Sequence, residues 1–373
     1  MKDFDTKIFN ANPDPKGRII PSLAPAAIEV TYRDDGDILL RSPQELAEYP
    51  TNICENLKKW ANLAGERTFI AERNSEGDWR RITYGEALKQ VRSIGQALLN
   101  MGLNAEKPVM ILSENSINVA MLILASMYVG VAVSPISQAY SLVSQDHEKL
   151  RHVFGIVRPG LVYAANGKRF SKALAALNLD GVTVVVENDP PTIGDTVLFS
   201  ELKATKATEA VEEAFAGVTP DTIAKILFTS GSTNAPKGVI NTQRMINSSQ
   251  QSIAQIWPFL EEKPPVFLDW LPWNHTYGGN KVFNIILRNG GTLYLDGGKP
   301  VPGAIETTVK NLLDVSPTVS FNVPKGYDAL LPYLESDAAV SESFFKNMDM
   351  IFYAAAALPQ NLWTRLEKLS EKV

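Results

Sequence analysis

Cysteine is almost missing from this chain: Cys54 is the only one in 373 residues. An internal disulfide framework and a Cys-based zinc site are therefore excluded, and a reducing compartment is expected. Histidine is nearly as scarce, with His147, His152 and His275 alone. With so few, no plausible Ser/His/Asp or Cys/His triad emerges, and no Gly-x-Ser-x-Gly elbow accompanies them. No His/Asp/Glu group has metal-ligand spacing, so neither covalent catalysis nor a resident metal is expected from these residues. Clusters of Lys and Arg are absent too, and the formal charge is −5, which argues against nucleic acid as a partner. The most apolar run, residues 119–133, spans 15 positions and is interrupted by Ser126 and Gly130. A bilayer crossing needs roughly 18 or more, so a buried helix is the reading, with no membrane partner. Residues 1–17 lack the apolar core of a secretory signal, and a cytoplasmic protein is expected.

What is present is ordinary for a globular protein with a large core: 45% hydrophobic and 21% charged residues. The length corresponds to about two or three domain-sized units. Residues 1–40 carry Pro13, Pro15, Pro21 and Pro25 with little periodicity and read as an arm over the surface. A helix is expected over 53–63, a hairpin from 68–72 and 79–83, and a second helix over 84–101 closed by Gly102. Residues 109–112, a helix capped from Ser113–Asn115 and running to Tyr128, and residues 131–136 form a strand–helix–strand unit. Such a unit implies a parallel sheet covered on both faces. The alternation continues through 161–164, 171–177 and 182–186. The acidic, Pro-broken stretch 187–220 reads as a connection between two subdomains, 41–218 and 219–373. From Lys225 the rhythm resumes: strands at 226–228, 266–271, 292–295, 319–323 and 350–354, helices at 245–257, 281–288, 306–313 and 326–334. Residues 360–373 read as a helix with no stop signal. The fold class is thus α/β, with two stacked subdomains of mostly parallel sheets in αβαβα layers, incomplete at the C-terminus.

The chemistry lies in Phe228-Thr229-Ser230-Gly231-Ser232-Thr233-Asn234-Ala235-Pro236-Lys237-Gly238. It leaves a buried strand and concentrates hydroxyls, glycines and one lysine. Gly231 and Gly238 let backbone amides approach an anion, and successive N–H groups form a nest. Thr229, Ser230, Ser232 and Thr233 add short donors, Lys237 a mobile charge, and Pro236 stiffens the turn before it. The bland alternative is a solvated Ser/Thr/Gly turn, which this ordered string after a buried strand disfavours. It is not a Walker A loop, because Pro236 precedes the lysine and Val239-Ile240 continue extended.

At these residues the sequence resembles the adenylate-forming superfamily of acyl-CoA synthetases, luciferases and peptide-synthetase adenylation domains. Their phosphate loop reads Thr-Ser-Gly-Ser/Thr-Thr-Gly-x-Pro-Lys-Gly and holds the ATP β- and γ-phosphates. Asn234 replaces a usual glycine, and Asn tolerates positive φ better than most residues. Leu271-Pro272-Trp273-Asn274-His275-Thr276-Tyr277-Gly278-Gly279 looks like the superfamily's Pro-x-x-His-x-x-Gly segment beside the acyl pocket. Phe352-Tyr353-Ala354-Ala355-Ala356-Ala357-Leu358-Pro359 resembles the Gly-Gly-Ala-Ala-Leu-Pro stretch along the adenine, with alanines for both glycines. The resemblance covers roughly residue 40 onward. Within the superfamily, Leu40-Arg41-Ser42-Pro43, Ala139-Tyr140-Ser141-Leu142-Val143-Ser144, Asn241-Thr242-Gln243-Arg244-Met245 and 353–359 resemble bacterial feruloyl-CoA synthases.

The resemblance implies roles residue by residue. Lys237 and His275 are the catalytic candidates, His275 as a pocket residue rather than a general base. Thr229, Ser230, Gly231, Ser232, Thr233, Lys237 and Gly238 hold phosphate, and Ala355 and Ala356 lie on adenine. His275, Tyr277 and Gly278 belong to the acyl pocket. Tyr277 either packs in the core or walls a pocket for a flat acid, while Trp257 and Phe267 read as core. His147 and His152 read as a solvated helix face. ATP with Mg²⁺, an aromatic carboxylic acid of the ferulate type and coenzyme A are the implied substrates, joined through an acyl-AMP. A homodimer is compatible with the sequence, which does not fix an oligomeric state. The superfamily's Tyr-Gly-x-Thr-Glu, whose glutamate helps hold Mg²⁺, its Thr-Gly-Asp and its small C-terminal domain are not found and would lie beyond Val373. Alone, the chain is expected to bind ATP weakly and to be nearly inactive. The alternatives are a fatty-acyl-CoA synthetase, a peptide-synthetase adenylation domain and a non-catalytic nucleotide-binding remnant.

Overall fold

The computed structural model describes residues 5–9 (backbone only), 21–193, 196–229 and 235–372. The N-terminal stretch expected as an arm is a three-stranded antiparallel sheet: β1 (Asp5–Phe9), β2 (Ala26–Tyr32) and β3 (Ile38–Arg41). The overlooked signal is local. Asp34-Asp35-Gly36 turns β2 into β3, with Gly36 at φ 91° and the Arg33 amide donating to Asp37 O at 2.9 Å. An Asp-Gly turn between β-rich runs is a hairpin signature.

The core begins with the hairpin β4 (Thr68–Arg73) and β5 (Trp79–Thr83). Thr83 caps the helix Tyr84–Asn100 through a capping box with Glu86. Then come β6 (Val109–Ile111) and the helix Ile117–Tyr128, capped by Ser116 rather than by Ser113–Asn115. Ser116 wins because its hydroxyl accepts from Val119 N, one turn ahead. Next are β7 (Val133–Pro135), β8 (Leu161–Asn166) and β9 (Thr183–Asn188).

The acidic stretch expected as a linker is ordered structure instead. It holds β10 (Thr196–Leu198) and the helices Phe199–Ala204 and Glu209–Ala216. Phe199, Leu202 and Val211 anchor it in the core, and Glu212 takes Lys58, Arg92 and the Tyr128 hydroxyl. Its apolar residues are too few and too spread to stand out among the acids.

Beyond it lie β11 (Ile223–Thr229), β12 (Lys237–Thr242), β13 (Val266–Asp269), β14 (Thr292–Leu295), β15 (Val319–Asn322) and β16 (Met350–Tyr353). The helix Ala338–Phe345, unforeseen in the sequence, starts on Asp337, whose carboxylate accepts from Ala339 N and Val340 N. One sheet runs β10-β9-β8-β6-β7-β11-β12 and another β13-β14-β4-β5, with β15-β16 as a pair. Every pairing in these sheets is parallel except the terminal hairpins β11–β12 and β4–β5.

The sheets do not divide at residue 218. β11 and β12 complete the sheet of β6–β10, and β4 and β5 complete that of β13–β14. Crossover connections set parallel neighbours, so sequence order is a poor guide to which sheet a strand joins.

All twelve residues of helix Ile117–Tyr128 are buried, because it lies between the two larger sheets and touches β4, β7 and β11. At roughly 1.5–3 kcal/mol for each large apolar side chain, this helix is a main source of the core's stability. The helix Glu148–Val157 covers the other face of the larger sheet through Leu150 and Val153. His147, expected on a solvated face, is 8% exposed and sits at φ 53° before that helix, its Nδ1 donating to Tyr140 O at 3.2 Å. The turn that starts the helix folds its ring inward.

Candidate active site

The segment expected from the sequence to grip phosphate connects β11 to β12. Ser230, Gly231, Ser232, Thr233 and Asn234 lie outside the described residues, but both flanks are defined. Thr229 pairs with Lys237 in antiparallel register, so β11 and β12 run in opposite directions. Thr229, Lys237 and Gly238 are exposed, and Lys237 has no ion-pair partner among the described residues. A Cβ on Gly238 would stand 3.4 Å from Ile226 Cγ2 and 3.5 Å from Phe228 Cε1, ordinary contacts, so the described neighbours do not demand glycine there. His152 reaches this turn: its Nε2 donates to Pro236 O at 2.9 Å. It is exposed, as the sequence suggests, yet it props the base of the turn. Its spacing in the chain contains no hint of that.

The segment after β13 is held by residues far away in sequence. Asn115 Nδ2 donates to Leu271 O at 2.9 Å, and Trp273 N donates to Asn115 Oδ1 at 3.1 Å. The chain then enters a π-helical turn, Tyr277–Val282, leading into the helix Phe283–Asn289. Such turns are rare and gather at functional sites. Its glycines permit close packing: a Cβ on Gly278 would come within 2.6 Å of Leu271 O and 2.7 Å of Pro272 O, and one on Gly279 would strike Trp273 O.

Three hydrogen bonds then tie this turn to the strands beside the other two motifs. Lys225 Nζ, from β11, donates to Gly279 O at 2.7 Å, and Asn280 Nδ2 donates to Asn241 Oδ1 of β12 at 2.9 Å. Tyr277 Oη donates to Asn322 O at the end of β15 at 3.2 Å, and Ala354 N, just past β16, donates to the same carbonyl at 3.3 Å. Ala355 and Ala356 follow, exposed. Ala355 holds φ 75°, a left-handed conformation alanine rarely takes. It keeps a backbone shape suited to the glycine it replaces.

The fold therefore assembles the three motifs around one turn but gives the candidate acyl residues different surroundings. Tyr277 stands half-buried among Phe321 and Phe352, with ring centroids at 6.2 and 6.1 Å. Gly278 is buried against backbone. His275 is exposed and lines a separate cleft of about 560 Å³. That cleft opens beyond the carboxyl ends of parallel strands in both larger sheets, with walls that include Glu72, Asn115, Gln138, Trp270 and Asp296. Crevices at this end of parallel sheets are the usual ligand sites of α/β folds.

Its electrostatics are uneven. Asp296 is saturated, accepting from Gly298 N at 2.9 Å, Asn311 Nδ2 at 2.9 Å and Thr308 Oγ1 at 2.5 Å. Asp269 is buried, with Oδ1 unpartnered among the described residues. Burial, reinforced by the nearby Asp296 charge, pushes its carboxyl well above the usual range and favours the protonated acid. Lys299 also lines the cleft and has no ion-pair partner among the described residues. No group of three or more His, Cys, Asp or Glu able to hold a metal gathers among the described residues. Nor is any described helix long and apolar enough to cross a membrane.

Behind the site lie two lysines that sequence inspection passes over. Burial draws Lys225 down to about 7, partly opposed by Cys54, and draws Lys281 down to about 8. Nothing in their spacing marks them, since both sit in apolar-rich runs where a lone lysine reads as surface.

A profile of AMP-binding enzymes matches residues 57–373. The chain belongs to the AMP-binding enzyme family. Relatives within the family are distant. Over 351 residues the chain is 23% identical to the rat long-chain-fatty-acid–CoA ligase ACSBG1, covering 89% of this chain and 46% of that protein. Over 297 residues it is 26% identical to 4-chlorobenzoate–CoA ligase of an Arthrobacter species, covering 77% of this chain and 51% of that protein. The chain thus spans about half the length of the curated relatives it matches. The solved structure of VinN with L-aspartate shares the fold, with a TM-score of 0.67 at 20% identity, over 87% of this chain and 74% of that one. The mixed, mostly parallel α/β architecture is that of the N-terminal domain of this family's enzymes.

Proposed function

We propose that the chain supplies the nucleotide- and acid-binding part of an ATP-dependent acyl-CoA ligase acting on an aromatic carboxylic acid, ferulate or a related hydroxycinnamate. The observation that carries this reading is the β11–β12 reversal, which leaves Lys237 exposed and without an ion-pair partner among the described residues, in a chain of the AMP-binding family. A cation held ready beside a Ser/Thr/Gly turn suits a polyphosphate.

In the first half-reaction a carboxylate oxygen attacks the ATP α-phosphorus. The new O–P bond forms as the bond to the β-phosphate bridge breaks, and pyrophosphate leaves with acyl-AMP remaining. In the second, the thiol sulfur of coenzyme A attacks the acyl carbon, AMP leaves, and the thiol proton passes to solvent. Neither step needs a protein nucleophile; both need alignment and neutralised charge. Lys237 and the turn amides offset charge on the departing pyrophosphate. Ala355 and Ala356 give a flat base an unobstructed surface. His275 stands exposed on the cleft wall, and Tyr277 with Phe352 offers rings for a flat acid to pack on. Magnesium enters with ATP as part of the substrate. The described residues gather no group fit to hold it, so no step is assigned to a protein-held ion.

The test is calorimetric titration of the chain with MgATP. Lys237→Ala removes a charge-assisted contact and should weaken binding by at least about tenfold, leaving the thermal midpoint unchanged. Equal affinities would refute the assignment. A panel of ferulate, 4-hydroxycinnamate and octanoate then separates an aromatic from a fatty-acid preference.

A further inference from the structure

Among the described residues, Lys281 is a half-buried cation without the partner its position calls for. Lys281 lies on the π-turn one helical turn after Tyr277 and is half-buried. Its Nζ stands 3.8 Å from the centroid of the Phe352 ring and 4.7 Å from that of Trp257. These two rings meet edge to face at 5.4 Å, and Phe321 closes the group at 5.4 Å from Phe352 and 6.3 Å from Trp257. Among the described residues Lys281 has neither a hydrogen-bond acceptor nor a carboxylate. Ring faces attract an ammonium but accept none of its three N–H donors in the way an oxygen does. A partly desolvated ammonium is costly unless something else satisfies it. Phe352 belongs to β16, which leads into Ala354–Ala356, and Tyr277 packs on the same ring. The unpartnered donors therefore border the ring-lined wall assigned above to the acid.

Resting on that reading of the site, we infer that Lys281 is a specificity-determining residue: its ammonium donates to an oxygen carried by the acid away from its reacting carboxylate. The substrate class is thus narrowed to flat carboxylic acids bearing a distal oxygen acceptor, either a phenolic oxygen or a second carboxylate. An unsubstituted acid leaves the ammonium caged and unpaired. A ring bearing the oxygen packs on Tyr277 and Phe352 while supplying the missing acceptor. The Trp257 and Phe352 rings beside the ammonium restrain the donor group, so recognition costs little ordering.

The test is titration of the 373-residue chain, with AMP present, using cinnamate, 4-hydroxycinnamate and 4-carboxycinnamate. At least one oxygen-bearing acid should bind about tenfold tighter than cinnamate, as expected for a hydrogen bond to a charged group. Which of the two gains more identifies the oxygen. In Lys281→Met that ratio should fall to about twofold or less, while Lys281→Arg, which keeps the charge, should retain most of it. Should the Met variant not fold, Lys281→Gln serves in its place. An unchanged ratio overturns the inference. So does an equal loss of affinity for all three acids, which would put the ammonium on the reacting carboxylate. Failure of every acid to bind the unaltered chain would overturn the reading of the site as well.

Discussion

Lys225 offers the sharpest test of how the site is held together. It is 1% exposed, and its only side-chain hydrogen bond among the described residues runs to Gly279 O at 2.7 Å, joining β11 to the π-turn. The ionisable group that acts on it is Cys54, which burial pushes up and so keeps as a thiol. An unfolded lysine stays protonated up to about 10.5, whereas Lys225 in the fold loses its proton near 7. Between those values the unfolded chain binds a proton that the native chain does not, so stability rises with pH across the window. Each pH unit there contributes at most about 1.4 kcal/mol. From pH 7 to 9 the unaltered chain should therefore gain about 2 kcal/mol relative to Lys225→Met, allowing for partial protonation at the lower end. All other titrations are shared by the two proteins and cancel. At any one pH the sign of the difference is a balance, because methionine removes the cost of burying an amine that must give up its proton but also leaves Gly279 O without its donor, at about 1–3 kcal/mol. The slope is the decisive quantity. Urea unfolding followed by tryptophan fluorescence at the two pH values measures it. Parallel stability curves for the two proteins would refute the buried-lysine account.

Two further perturbations probe the same scaffold. Gly278→Ala places a Cβ within 2.6 Å of Leu271 O, a backbone atom that cannot swing away. It should cost about 1–3 kcal/mol, and an unchanged thermal midpoint would remove the packing explanation for that glycine. Asn115→Ala breaks both hydrogen bonds to the 271–273 loop. A loss of about 1–3 kcal/mol is expected, with faster hydrogen exchange at the Trp273 amide. Unaltered protection there would mean that Asn115 does not hold the histidine-bearing loop.

The readable parts of this protein were those whose physics is local. Strand–helix alternation announced parallel sheets because burial on both faces makes each element apolar over its own few residues. The 228–238 segment draws attention because the residue types suited to phosphate are neighbours in the chain. The turn at Asp34-Asp35-Gly36 and the cap at Asp337 are local signals of the same kind. The stretch 187–220 is different: its few anchors, Phe199, Leu202 and Val211, are apolar by type but gain meaning only from the core that receives them.

Sequence alone thus determined the α/β class, the family and the position of the lysine-bearing turn, each written in adjacent or regularly spaced residues. Tertiary structure alone decided that β11–β12 share a sheet with β6–β10, that His275 and Tyr277 face different surroundings, and that His152, Asn115, Lys225 and Lys281 contact the candidate motifs or the strands beside them. The reason is physical. A lysine's charge, a histidine's reach or a glycine's necessity depends on which atoms stand beside it, and here those atoms come from residues up to 158 positions away in the chain.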